Sequence, residues 1–222
     1  MRIGVIGAGR IGGNAARLLA KAGHEVALSF ARDQQRLEEL AASIGEHAQV
    51  LAPAKAVRFG DVVILSVPWS VIDDALEQAG SLEGKVVIDT TNQFGKRGLE
   101  QLPDGLTAAQ VNARRMPGAR LVKAYNTLTA GFQAEAAGRT GPDRVVMFMC
   151  GDDENAKKIV ARLIEDSGFT PLDVGGLADA APIEAPRRPG AVYREEYRLP
   201  EAEEAVAAMR RGLAIPPAPS YV

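Results

Sequence analysis

The stretch IGVIGAGRIGG, residues 3–13, decides the expected fold, because Gly7, Gly9 and Gly12 form a G-x-G-x-x-G pattern. An apolar strand pattern precedes this pattern, a helical pattern follows it, and a second apolar strand comes after the helix. In that context Gly7 permits a tight turn, Gly9 lets the backbone approach a pyrophosphate, and Gly12 allows close packing of helix on strand. The stretch therefore predicts a dinucleotide-binding loop.

The helix after this loop would present its first backbone N–H groups, and the positive end of its dipole, to the phosphates. Arg10 and Ile11 stand in that first turn, so we count both among the candidate cofactor-binding residues. The alternative interpretation is a glycine-rich turn that binds no nucleotide.

Short apolar runs alternate with helical patterns along most of the chain. The runs are rich in Val and Ile and apolar almost throughout, as is typical of strands buried on both faces of a parallel sheet. The predicted strands cover residues 2–7, 25–28, 48–51, 61–67, 85–89, 120–125, 145–150 and 170–174. The predicted helices cover residues 14–22, 33–44, 70–79 and 154–167. This alternation predicts an α/β fold of the Rossmann type, doubly wound around a mainly parallel sheet.

The alternation stops near residue 178, and a segment rich in proline follows. Proline at this density breaks helices and central strands. We therefore divide the chain into a dinucleotide-binding domain, residues 1–180, and a Pro-rich C-terminal tail, residues 181–222, with a short helix at 201–211. Two interpretations stay open, because the tail can dock on its own subunit or on a partner subunit.

The second predicted strand ends without the usual acidic residue. An Asp or Glu at that position binds the ribose 2′-hydroxyl of NAD and would repel a 2′-phosphate. The stretch EVALSFARDQQR has Ser29 there, followed by Arg32 and Arg36, and Arg makes forked, charged contacts to phosphate. This predicts NADP(H) as the cofactor, with Arg32 binding the 2′-phosphate, Ser29 donating a further hydrogen bond to it, and Arg36 or Arg10 as an additional contact. The alternative is that Ser29 ends the strand and Arg32 is a surface cation, and Asp33 fits a helix N-cap.

The composition narrows the remaining functional classes. The net charge of −2 predicts no nucleic-acid partner. With one cysteine, Cys150 in an apolar run, and two histidines in short linkers, we expect no metal site and a buried thiol. No apolar stretch approaches the roughly 20 residues that span a bilayer, so we expect no membrane partner and a cytoplasmic location.

Five motifs occur in an order that resembles a known family. They are GAGRIGG, LSVPW at 65–69, DTTNQF at 89–94, VKAYNTL at 122–128 and CGDDENAKK at 150–158. Together they resemble the coenzyme F420-dependent NADP reductase family over residues 1–178. The same dinucleotide domain is similar to that of the six-transmembrane ferric reductases. The resemblance implies hydride transfer between NADPH and a flavin-like acceptor, the deazaflavin F420 or a flavin.

The tail departs from that family. Its members usually continue with an apolar helical segment that helps to form the dimer and the deazaflavin pocket, whereas this chain continues with APRRPGAVYREEY at 185–197. The departure concerns the acceptor side and leaves the predicted NADP(H) site unchanged.

Ligands of open α/β sheets bind beyond the carboxyl ends of the strands. There we expect Val67, Pro68 and Trp69 to offer an apolar wall to the nicotinamide, although Trp69 can equally be a core residue. Asn92 and Asn126 are the amides that would hold the carboxamide or the edge of an acceptor ring. The alternative for both is turn formation, which Asn favours.

Lys123 is unusual because it lies inside an apolar strand pattern. As a proton donor it would indicate an NADPH reductase of a small carbonyl or imine, and Lys123 and Asn126 are the candidate catalytic residues. The structural alternative is a pair with Asp89 or an outward position. A non-catalytic NADP(H)-binding sensor is the third interpretation. We expect a homodimer, because so small a domain encloses only half of a large acceptor ring.

Overall fold

The computed structural model describes residues 1–103 and 105–221 of the chain. Its strands are β1 Arg2–Ile6, β2 Glu25–Ser29, β3 Ala48–Val50, β4 Val62–Leu65, β5 Val86–Asp89, β6 Phe94–Gly95, β7 Gly98–Leu99, β8 Arg120–Lys123, β9 Val146–Gly151 and β10 Thr170–Asp173. Its helices are α1 Arg10–Lys21, α2 Gln34–Ile44, α3 Pro53–Phe59, α4 Ile72–Ala79, α5 Ala108–Arg115, α6 Ala130–Ala136, α7 Glu154–Asp166 and α8 Leu199–Arg210.

Eight of these strands form one sheet in the order β10-β9-β8-β5-β4-β1-β2-β3. All neighbours pair in parallel except β8 and β9, which pair antiparallel through Lys123 and Cys150. The strand order reverses beside β1, which is the point where doubly wound sheets bind their ligands. The prediction of a Rossmann-type, mainly parallel sheet is confirmed.

The sheet carries a hydrophobic core on each face. Val62 and Ile64 of β4 belong to one cluster of buried side chains, while Val63 and Leu65 belong to the other. This alternation follows from the two-residue period of a strand. Because all four side chains are buried, the strand reads as a continuous apolar run in the sequence.

All eight predicted strands occur, and the strand bounds differ by up to two residues. Helix α1 starts four residues before its predicted start, because the end of the glycine loop joins the helix. Three short helices, α3, α5 and α6, and the small β6–β7 hairpin were not predicted. Helices of seven or eight residues offer barely two turns of periodicity, so the sequence pattern does not reveal them.

Residues 181–221, which we call the C-terminal segment, pack onto one face of this sheet. Ile183, Val192 and Val206 are buried in the same cluster as Val63 and Leu65. The ring of Tyr197 meets the ring of Phe148 edge-on, with 5.5 Å between their centroids. The segment therefore shares the core of the sheet within one chain, and its docking on a partner subunit stays a prediction.

We predict that truncating a core side chain of the C-terminal segment destabilises the whole chain. Val206→Ala removes buried apolar volume on α8 and should lower the free energy of unfolding by about 1–2 kcal/mol. Glu203→Ala, on the exposed side of the same helix, is the matched control and should change it by less than about 0.5 kcal/mol. Urea denaturation measures both, and equal stabilities for the two variants would refute a shared core.

Candidate functional site

The turn between β1 and α1 is built around its three glycines. Gly7 has a φ of +94°, and a Cβ there would lie 2.4 Å from the Ser66 carbonyl oxygen. A Cβ on Gly12 would lie 2.2 Å from the Gly7 carbonyl oxygen, so α1 approaches β1 more closely than any side chain permits. Both positions therefore require glycine for the turn itself.

Gly9 differs from the other two glycines because open space surrounds it. A Cβ on Gly9 would meet nothing within 4 Å, although the loop on either side is tightly packed. Helix α1 begins directly after Gly9, with no side-chain cap and no acidic residue in its first turn. The first amides and the positive dipole end thus face a cradle that suits a pyrophosphate. In that first turn Arg10 is exposed and Ile11 is half-buried.

Ser29, at the end of β2, does not face this cradle as a donor. The residue is wholly buried, and its hydroxyl donates to the Val5 carbonyl oxygen at 2.9 Å. That hydrogen bond leaves the hydroxyl no proton for a 2′-phosphate. Ser29 therefore joins β2 to β1 in this structure, and a contact of its hydroxyl with a 2′-phosphate stays a prediction.

The arginines near the end of β2 are differently placed. Arg32 and Arg36 are exposed, as is Arg10 across the loop, and none of the three forms a salt bridge with another residue of the described chain. The carboxylate of Asp33 accepts from the Arg36 backbone N–H and caps α2, as predicted. The cations near this strand end are thus free to bind an anion.

Only part of the predicted apolar wall, Val67, Pro68 and Trp69, is exposed to solvent. Val67 and Trp69 are buried, whereas Pro68 is exposed. The guanidinium of Arg115 lies 4.6 Å from the centroid of the Trp69 ring, which gives that ring a cation–π partner inside the protein. Trp69 is therefore a core residue in this structure, and Pro68 is the member of the wall that faces solvent.

Asn92 and Asn126 join the strand ends to the C-terminal segment. The Asn126 amide donates to the Ile183 carbonyl at 2.7 Å, and the side-chain oxygen of Asn92 accepts from the Ala185 N–H at 3.1 Å. Asn92 also donates to the Asn126 carbonyl at 3.0 Å. With Asn126 only 4% exposed, its amide holds the protein's own backbone, and its contact with a carboxamide stays a prediction.

Lys123 is the centre of a buried ionic group. Its ammonium donates to Asp89 at 3.0 Å and to the Thr91 carbonyl at 2.8 Å, and Glu184 lies 3.7 Å away. Burial alone would lower the pKa of Lys123, but the two carboxylates outweigh it and keep that pKa above its ordinary value. Lys123 is therefore a charged, structural residue paired with Asp89.

Glu184 was not among the residues singled out from the sequence. It is 3% exposed and accepts from the backbone N–H groups of Ala108 and Ala109, both at 2.8 Å, at the start of α5. The positive end of that helix and Lys123 together compensate its charge. The feature of the sequence that could have revealed Glu184 is its position as a single acidic residue within the otherwise apolar run APIEAP, residues 181–186.

Asn112 is a second residue that the sequence did not reveal. Its amide donates to Asp89 at 2.9 Å and to the Thr91 hydroxyl at 3.0 Å. The Asp89 carboxylate, which already accepts from Lys123, thereby gains a neutral donor from α5. Because the Asp89 carboxylate accepts hydrogen bonds from both Lys123 and Asn112, it has little capacity left to bind a ligand.

Other reactive groups take structural roles. Cys150 is buried in β9, as expected, and burial raises the pKa of its thiol to about 12, so the thiol is protonated at neutral pH. Asp153 caps α7 by accepting from the Ala156 N–H at 2.8 Å, so the acidic run GDDE at 151–154 begins a helix.

In residues 1–103 and 105–221 no group of three or more His, Cys, Asp or Glu side chains is arranged to bind a metal ion. Over the same residues, no helix combines the length and the apolar character needed to cross a membrane.

Comparisons with known proteins agree with the geometry of the loop. The family described as "NADP oxidoreductase coenzyme F420-dependent" matches residues 2–93. A crystal structure of a putative F420-dependent NADP reductase from an Arthrobacter species has 26% identity and a TM-score of 0.68, covering 81% of this chain and 87% of that one.

Two further relatives extend the likeness. A hypothetical protein from Sinorhizobium meliloti has a crystal structure with 30% identity and a TM-score of 0.75, covering 90% of this chain and 94% of its own. The rat metalloreductase STEAP3 is 31% identical over 184 residues, which are 83% of this chain. The chain spans only 36% of the length of that rat protein.

The glycine loop and the exposed arginines beyond β2 lie in or next to the part of the chain that the family model covers. Over residues 2–93 the chain matches the family of coenzyme F420-dependent NADP oxidoreductases, and solved relatives share its fold over most of its length.

Proposed function

We propose that this protein transfers hydride between NADPH and a flavin-like ring acceptor, either the deazaflavin F420 or a flavin. The observation that carries the proposal is the phosphate cradle at Gly9, together with exposed arginines at the start of α1 and beyond the end of β2. These are Arg10, Arg32 and Arg36, and none forms a salt bridge within residues 1–103 and 105–221. A strand end without a carboxylate favours a cofactor that carries a 2′-phosphate.

In this proposal the first amides of α1 hold the pyrophosphate. Arg32 binds the 2′-phosphate, with Arg36 and Arg10 as further cations, because a forked guanidinium matches phosphate oxygens. Pro68 and Asn92, each with surface beyond the strand ends, line the nicotinamide side. When bound, NADPH supplies a hydride, which is two electrons with one proton.

The reaction side favours a ring acceptor over a carbonyl. A carbonyl or imine substrate needs a proton donor as it is reduced, and Lys123 is wholly buried and committed to Asp89 and Glu184. Transfer between two rings depends chiefly on close and oriented placement. The buried position of Lys123 therefore supports the ring acceptor, and the C-terminal segment would supply the second wall of its site. We keep the homodimer as a further prediction.

The direct test mixes the purified protein with NADPH and, separately, F420, FMN or riboflavin. We expect NADPH and the oxidised acceptor, each followed by its own absorbance, to be consumed in equal molar amounts, because one hydride reduces one ring. Tight NADPH binding without turnover on any of these acceptors would contradict the proposal and favour a sensor.

Replacing Arg32 should change cofactor preference. Loss of charged hydrogen bonds to the 2′-phosphate in Arg32→Ala should raise the Kd of NADPH about 10- to 100-fold and leave that of NADH within about twofold. Arg17→Ala, an exposed arginine further along α1, is the control and should leave both affinities unchanged. Titration by cofactor fluorescence measures each Kd. If Arg32→Ala weakened the binding of NADPH and NADH equally, the proposed contact between Arg32 and the 2′-phosphate would be refuted.

We predict that replacing Lys123 chiefly lowers the stability of the folded protein. Lys123→Met leaves the carboxylates of Asp89 and Glu184 buried without their cation and should lower the free energy of unfolding by about 3–5 kcal/mol. The control Lys158→Met, on the exposed face of α7, should have little effect. A Lys123→Met protein with wild-type stability in urea but no turnover would instead identify Lys123 as the proton donor of a carbonyl reductase.

A further inference from the structure

The hydroxyl of Ser66, the residue directly after β4, lies beside the turn that forms the phosphate cradle. The Ser66 backbone N–H donates to the carbonyl of Ile6, at the end of β1, at 2.8 Å. A Cβ on Gly12, the third residue of α1, would lie 2.9 Å from Ser66 Cβ and 3.1 Å from Ser66 Oγ. The Ser66 side chain therefore fills the space that the absent Gly12 side chain leaves against the first turn of α1.

A second hydroxyl determines how the Ser66 hydroxyl is used. The hydroxyl of Thr90, directly after β5, donates to Ser66 Oγ at 2.9 Å. Its other acceptor, the Leu65 carbonyl, lies farther away at 3.3 Å and already accepts from the Thr90 backbone N–H at 3.1 Å. A hydroxyl carries one proton and can accept while it donates. Ser66 is thus the acceptor in this pair and keeps its own proton.

The Ser66 proton has no acceptor within the protein. Among residues 1–103 and 105–221, the Ser66 hydroxyl takes part in one side-chain hydrogen bond, and it accepts in that bond. Thr90 is only 6% exposed, whereas Ser66 is half-buried, so the outer member of the pair is Ser66. A donor that has lost part of its water favours an acceptor that replaces it. The Ser66 hydroxyl therefore suits an acceptor that comes from outside the chain.

A pyrophosphate has the chemistry that this position requires. Its oxygens are ionised at neutral pH, so they accept hydrogen bonds, and such charge-assisted bonds are the stronger kind. The first amides of α1 are donors of the same sort, since they have no acceptor within the helix. Ser66 adds one side-chain donor beside these backbone donors.

We infer that Ser66 is a further cofactor-binding residue, whose hydroxyl donates to the pyrophosphate, and that Thr90 is a positioning residue that keeps Ser66 in its donor role. The inference rests on the proposed function, because it takes a dinucleotide at the cradle as the ligand. NADPH and NADH have the same pyrophosphate. The Ser66 contact therefore strengthens the binding of both, whereas the proposed Arg32 contact concerns the 2′-phosphate of NADPH alone.

Cofactor fluorescence titrations with the full chain test this contact. Ser66→Ala should raise the Kd of NADPH and that of NADH by the same factor, about 10-fold, because a hydrogen bond to a charged acceptor is lost. The Thr90 hydroxyl then still has the Leu65 carbonyl as an acceptor, so thermal unfolding without cofactor should change little. Ser81→Ala, an exposed serine after α4, is the matched control and should leave both Kd values unchanged.

Two variants of Thr90 test its positioning role. Thr90→Ser keeps the hydroxyl and should keep the wild-type Kd values. Thr90→Val removes the hydroxyl at similar volume and should raise both Kd values by a smaller factor than Ser66→Ala, about threefold, because the Ser66 proton is then free to turn away. A merely structural role of the pair would instead lower the unfolding temperature without cofactor and leave the Kd values of the folded variants unchanged.

The probe 2′-AMP carries the 2′-phosphate and has no pyrophosphate. Its inhibition constant, measured by displacement of bound NADPH, should be the same for the wild-type protein and Ser66→Ala. Unchanged cofactor Kd values in Ser66→Ala or in Thr90→Val would overturn the inference. A loss confined to NADPH, or a weakening of 2′-AMP as large as that of NADPH, would overturn it as well.

Binding and turnover separate this inference from the function on which it rests. Equal weakening of NADPH and NADH in Ser66→Ala supports the contact even if no acceptor is reduced, a result that would remove the proposed hydride transfer alone. Acceptor reduction by the wild-type protein, with an NADPH Kd that Ser66→Ala leaves unchanged, would keep the hydride transfer and remove the contact.

Discussion

The ammonium of Lys123, enclosed on all sides in the interior, is the constraint on which the reaction side of the molecule depends. A charge at such a place must be paired, and its partners come from two distant parts of the chain. Asp89 and the Thr91 carbonyl lie at the end of β5 and just after it, and Glu184 lies in the C-terminal segment. Glu184 in turn needs the amides at the start of α5. The ionic group thereby sets how the C-terminal segment lies over the strand ends.

The two ends of the proposed ligand cleft are built by different means. At the cofactor end, three glycines and the start of α1 form the phosphate cradle within one short stretch of chain. At the acceptor end, Asn92 and Asn126 bond to the backbone of the C-terminal segment at Ile183 and Ala185. The family model covers residues 2–93, which include the phosphate cradle, whereas the C-terminal segment lies beyond the residues that it matches.

Several residues that the sequence predicted to bind the cofactor or to take part in catalysis make structural contacts within the protein. Ser29 donates to β1, Trp69 packs against Arg115, and Lys123 neutralises carboxylates. Polar groups that are buried must find partners, and in each case a partner inside the protein is already present. Arg32, beyond the end of β2, is exposed and forms no salt bridge within residues 1–103 and 105–221, which suits an anionic ligand.

The sequence by itself determined the strands, the glycine loop and the helix cap at Asp33. Each of these depends on neighbours within a few residues: the run of Val and Ile in a buried strand, the backbone freedom of Gly7, and a carboxylate facing an amide three residues ahead. Only the tertiary structure decided the roles of Ser29, Asn126 and Glu184, whose hydrogen-bond partners lie 24, 57 and 76 residues away along the chain. Local pattern carries no information about which distant carbonyl or amide will be brought within hydrogen-bond reach, because that follows from how the sheet, α5 and the C-terminal segment pack.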